Sequence, residues 1–149
     1  MLTILILSLV GAVVSAGVGT FWYSPFTPMG RLHMRYLGFD KLSKEEQEKE
    51  IEKAKPAMPK IYGAQLALSF LTSFAVVMII MMSMRNGLPF SFALLFVVFN
   101  WLAFVVPTIG QGILWGTCDR KIAWKKFFSD SSSNLVSVLI LAVIASFFA

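Results

Sequence analysis

Four long apolar stretches divide the chain: Leu2 to Tyr23, Ile61 to Met84, Phe92 to Gly116, and about Ser131 to Ala149. A helix needs roughly 20 mostly apolar residues to cross about 30 Å of hydrocarbon. The first three stretches meet that requirement with no Asp, Glu, Lys or Arg inside them. The fourth is shorter, because its solid apolar part runs only from Leu135 to Ala149. It reaches spanning length when Ser131 to Asn134 serve as a polar first turn. The pattern predicts an all-α membrane protein: one domain over 1–149, with transmembrane helices at about 2–23, 61–84, 92–116 and 131–149. A connection at 24–60 joins the first two.

That connection carries elements of its own. Ser43 followed by Glu46 is a capping-box pair, and the good helix formers of Lys44 to Lys55 predict a charged helix closed by Pro56. Glu45 and Lys49 add an i,i+4 pair. Only Ile51 and Ala54 are apolar there, so the helix reads as a solvated face. Upstream, Met29 to Gly38 predicts a short interfacial helix. At 100° per residue Met29, Leu32, His33, Tyr36 and Leu37 share one side and Arg31 and Arg35 the other. Arg31 and Arg35 are therefore candidate contacts to lipid headgroups. The opening segment lacks a preceding cation and exceeds a leader's apolar length, and Trp22-Tyr23 suits a membrane interface, so it reads as a retained helix.

Composition agrees with lipid as the main solvent. Hydrophobic residues make up 57% of the 149, charged ones only 14%, too few to coat a water-soluble body of this size. Of the 13 Lys and Arg, all but Arg85 fall in the first and third connections. By the positive-inside rule those connections face the cytoplasm, with both termini on the opposite side of a multi-pass cell-membrane protein. The net charge of +5 then reflects topology and anionic lipid rather than a nucleic-acid surface. Cys118 is the lone cysteine, so no internal disulfide forms.

Candidate chemistry is sparse. The four stretches hold no Asp, Glu, Lys, Arg or His to mark a proton or ion route. One histidine, His33, does not make a metal site. No phosphate-binding glycine loop, catalytic carboxylate pair or nucleophile elbow is present, so no catalytic residue, cofactor or metal is expected. The polar residues that do occur in the spans are arranged in stripes. Ser8, Gly11, Ala12, Ser15 and Gly19 lie within about a 100° arc of the first helix. Tyr62, Gln65, Ser69, Thr72 and Ser73 do so on the second, and Asn100, Pro107, Thr108 and Gln111 share a side of the third. Small residues let helices approach closely, which makes Gly11, Ser15 and Gly19 candidate packing positions. Gln65, Ser69, Thr72, Asn100, Thr108 and Gln111 are candidates either for helix interfaces or for a polar cavity. Pro107, followed by Gly110, Gly112 and Gly116, predicts a kink.

The run Gly19-Thr20-Phe21-Trp22-Tyr23-Ser24-Pro25 closing the first helix resembles the signature of a family of small, mostly bacterial four-helix membrane proteins. Met34 to Gly38, Trp101-Leu102-Ala103-Phe104, and Trp115 before a polar turn and final helix match it as well. The resemblance covers nearly the whole chain and implies the same four-helix fold. The family is catalogued only as a domain of unknown function, so no activity comes with it. The striped faces predict a non-enzymatic protein acting as a homo-oligomer or as a subunit of a larger membrane complex, with membrane lipids as its other partners. The alternative expectation is a small channel or transporter for a neutral or weakly charged solute, its pathway lined by the second and third spans.

Overall fold

A computed structural model describes residues 1–116 and 118–149, and the described residues form helices and turns with no strand among them. The α-helices are α1 (Leu2–Trp22), α2 (Pro28–Tyr36), α3 (Lys44–Ala54), α4 (Met58–Arg85), α5 (Phe90–Asn100), α6 (Val106–Leu114) and α7 (Arg120–Ser146). Among the described residues, four helical segments are long and apolar enough to cross a membrane: α1, the α3–α4 rod, the α5–α6 segment and α7. The chain is built as an all-α membrane protein.

α1, α4 and α7 pack on one another, and their shared core lies toward the end of the bundle remote from the charged connections. Ile4 and Leu7 of α1 meet Val76, Val77, Ile80 and Met81 of α4, Ala93 and Val97 of α5, and Val138, Leu141, Ala142 and Ala145 of α7. Small residues set the spacing. A Cβ placed on Gly11 would lie 2.6 Å from Ser73 Oγ and 2.7 Å from Leu141 Cδ2, so α1 sits against α4 and α7 at a distance only glycine permits. Ser8, Ser73 and Ser137 are buried in the same layer. Ser8 and Ser137 donate to the carbonyls of Ile4 and Ser133 at 2.7 and 3.1 Å, so no cross-helix partner is needed to satisfy their hydroxyls.

Three features differ from the sequence pattern. Pro56 does not end the charged helix. It occupies the first turn of a 3₁₀ segment, Lys55–Ala57, and Pro59 the first turn of α4, positions where a missing amide hydrogen costs little. Lys44 to Arg85 is thus one continuous helical rod. The last helix begins at Arg120 rather than near Ser131, started by Asp119, whose carboxylate accepts from the Lys121 and Ile122 amides at 2.9 and 3.3 Å. At about 1.5 Å per residue α7 is ~40 Å long, more than an ordinary hydrocarbon layer is thick. Ser131 and Ser133 are then not an exposed first turn but part of its buried stripe.

The third span is the least covered: 11% of its most apolar window is buried, against 28%, 33% and 39% for the others. Before Pro107 the helix widens to a π segment over Trp101–Val105, which takes up the ring where a regular turn would clash. This elbow hands the span from one neighbour to another, with α5 against α4 and α6 against α7.

Gly11→Val forces α1 away from Ser73 and Leu141, and is expected to destabilise the bundle by about 1–3 kcal/mol in a denaturant titration. Gly19→Val, where a Cβ meets nothing within 4 Å, is expected to change stability by no more than about 0.5 kcal/mol.

Candidate functional site

The described residues gather most of their buried polar groups at the charged end of the bundle, where the end of α1, the short α2 and the first half of α7 meet. The turn Ser24–Thr27 folds α2 back on α1. Thr27 caps α2: its Oγ1 accepts from Gly30 N–H at 2.9 Å and lies 2.7 Å from the Trp22 carbonyl, to which it donates. Gly30 is buried so tightly under this turn that a Cβ would stand 2.0 Å from the Ser24 carbonyl oxygen.

From that turn two aromatic side chains reach α7. Trp22 Nε1–H donates to Ser129 Oγ at 3.0 Å, and Tyr23 O–H donates to Asp130 Oδ1 at 2.6 Å. Asp130 Oδ2 takes the ammonium of Lys126 one turn earlier. The Lys126 and Asp130 side chains are only 6% and 19% exposed, so this is an interior ion pair and not a surface one. Lys126 is walled by π faces as well, its Nζ 5.0 Å from the Tyr23 ring centre and 5.6 Å from that of Tyr36. A buried ammonium is costly unless paired, and here a carboxylate and two aromatic faces share the task.

His33 of α2 completes the cluster. Its ring lies 5.1 Å from that of Tyr23, and its Nδ1 is buried with no hydrogen-bond partner. Burial, reinforced by the nearby Lys126 charge and opposed by Asp130, holds its pKa below the ordinary imidazole value. The neutral ring is the form that suits the packed state. Among the described residues no three His, Cys, Asp or Glu side chains converge as a metal site.

The residues singled out from the spans are not brought together. Gln65, Thr72, Asn100, Thr108 and Gln111 are all exposed on the outside of the bundle, and Ser69 is half-buried. Thr72, Asn100 and Thr108 donate to carbonyls four residues back on their own helices, at 3.1, 2.8 and 2.7 Å. They line no cavity within one chain. Ser73, one position from Thr72, is the inward residue of that stripe. Of the small residues on α1, Gly11 makes the close approach and Ser15 is half-buried. Gly19 has open space beside it, contrary to its expected packing role. Arg31 and Arg35 are exposed along the outer side of α2. Lys126, Ser129 and Asp130 fall in the polar connection before the last apolar stretch, where the sequence pattern predicts a loop. Their signal was the continuation of the same i,i+4 stripe through Ser133 and Ser137.

Asp130→Ala would leave Lys126 buried without its counter-ion and is expected to destabilise the fold by about 3 kcal/mol, read from a thermal or denaturant melt. The double change Lys126→Met/Asp130→Leu should recover much of that loss. His33 gives a pH dependence whose sign follows from its lowered pKa. The stability it contributes is present above the unfolded value of about 6.5 and is lost as pH falls through the folded value. Hydrogen exchange in α2 is expected to quicken on acidification, and His33→Gln to flatten the dependence.

No curated protein and no solved structure matches the chain. A family match covers residues 6–146, nearly all of α1 through α7. With that coverage, the chain belongs to the family described as protein of unknown function (DUF1761).

Proposed function

We propose that the protein acts without catalysing a reaction, by self-association in the cell membrane through the uncovered half of α4 and the third span. The observation that carries this reading is the run Pro59–Leu68, ten consecutive exposed residues at the start of α4. A helix packed closely on one side buries a residue every three or four positions, so this half of α4 has no buried face. Ser73, Val76, Val77, Ile80 and Met81, its buried residues, all lie in the second half.

The uncovered half is not uniformly oily. Gly63, Ala64 and Ala67 let a second backbone approach, and Gln65 presents an exposed amide. The third span adds Asn100 near its middle. Amides facing hydrocarbon gain from a partner helix that bonds them, at about 1 kcal/mol each. A second copy supplies the same surface in self-complementary form, as twofold pairing requires.

A non-catalytic role is supported by how the charged end spends its groups. Both Asp130 oxygens are engaged, one by Tyr23 and one by Lys126, so the ion pair ties α1 to α7. The charge bias supports cytoplasmic placement of α2, α3 and the first turns of α7, with both termini on the other side.

Single cysteines at Ala64 or Ala67, in a Cys118→Ser background, are expected to give cross-linked dimers in membranes, whereas Leu9→Cys is not. Gln65→Leu is expected to weaken the dimer by about 1 kcal/mol. Uniformly monomeric product would remove self-association and leave the role of an accessory subunit to another protein. An intact dimer whose solute flux is abolished by Gln65→Leu or Asn100→Leu would favour a polar pathway between protomers.

A further inference from the structure

A groove of about 540 Å³ runs between α2 and α7 on the outer side of the charged end. On α2 it is lined by Arg31 and Arg35, one turn apart, with Leu32 between them. On α7 it is lined by Lys125, Phe128 and Ser129, a single helical stripe. Three cations thus converge on one concavity from two elements. None of the three lies within ion-pair distance of a carboxylate among the described residues. The nearest acid along α7, Asp130, is already held by Lys126 and Tyr23.

Like charges gathered without a counter-ion repel one another, and an anion in the groove would reverse the sign of that interaction. The donors suit a phosphate: two guanidinium forks, an ammonium, and the hydroxyl of Ser129. Ser129 is 5% exposed, and its oxygen already accepts from Trp22, which leaves its proton free to donate. The rest of the lining is apolar. Phe128 is 61% exposed, although it stands on a helix otherwise well packed, and Leu32 faces it across the groove. A small hydrophilic phosphate has no use for that wall, whereas an acyl-glycerol group does. The depth agrees as well, since α2 follows directly on Trp22 and Tyr23 where α1 leaves its apolar run.

We propose that this groove is a binding site for an anionic phospholipid, its phosphate held by Arg31, Arg35 and Lys125 and its first acyl carbons laid against Leu32 and Phe128. The site lies apart from the uncovered half of α4 and does not depend on self-association, so either reading can fail alone.

The test is native mass spectrometry of the full chain, released from detergent after incubation with equal amounts of phosphatidylglycerol and phosphatidylcholine. The protein is expected to retain phosphatidylglycerol preferentially. Arg31→Gln/Arg35→Gln/Lys125→Gln is expected to lower that retention at least about tenfold. Lys41→Gln/Lys44→Gln/Lys60→Gln, which removes the same charge elsewhere, should leave it unchanged. Arg31→Lys/Arg35→Lys keeps the charge but loses the forks and should retain an intermediate amount, which covers the case of a misfolded triple variant. Equal loss in the charge-matched variant, equal retention of the two lipids, or displacement by millimolar glycerol 3-phosphate would each overturn the proposal.

Discussion

Two apolar helix faces in hydrocarbon have no water to expel, so their association rests on how closely the backbones can approach and on what bonds cross between them. In this protein the approach is set at Gly11. The missing side chain there admits Ser73 and Leu141 to within van der Waals reach of the α1 backbone and brings α1, α4 and α7 to one line of contact. The core on one side of that line is built from Val76, Val77, Ile80, Met81 and the alanines of α7, which fit only because the three axes are already near one another. The charged end is organised by a different interaction.

That interaction is the ion pair of Lys126 and Asp130. On a soluble helix a Lys and an Asp four apart would be worth a few tenths of a kcal/mol. Here the pair is buried, and its desolvation is offset only if every remaining valence is used. Tyr23 uses the second carboxylate oxygen, while the Tyr23 and Tyr36 rings cover the ammonium. The pair therefore fixes the ends of α1 and α2 to the same turn of α7. The tight turn at Gly30 and the neutral His33 belong to the same arrangement. The three exposed pairs Glu45–Lys49, Glu50–Lys53 and Glu52–Lys55 hold nothing outside the α3–α4 rod.

The parts of this fold that were legible in the sequence are those governed by local rules. Apolar run length gives four helices long and apolar enough to cross a membrane, and the Ser43–Glu46 box marks the start of α3, where both of its bonds form. Periodicity also shows which residues share a side, but not which side turns inward. Thr72 and Ser73 are adjacent on one predicted stripe, and only Ser73 is buried. Pro56 reads as a stop because a lone proline usually is one. The restart at a second helix's first turn depends on where the next element begins. Lys126 and Asp130 read as loop residues because burial of a charge is decided by partners from distant parts of the chain. Tyr23 stands 107 positions away from Asp130, and no local pattern carries that distance.

The elbow at Trp101–Val105 divides the third span between two neighbours. Ahead of Pro107 the turn widens, so that α5 packs on α4 whereas α6 packs on α7 rather than on α4. α7 can receive α6 because its first half is already anchored to α1 and α2 by Trp22, Tyr23 and the buried ion pair. The proline and the pair thus belong to one arrangement. An exposed amide such as that of Gln65 gains about 1 kcal/mol from any helix that bonds it in hydrocarbon.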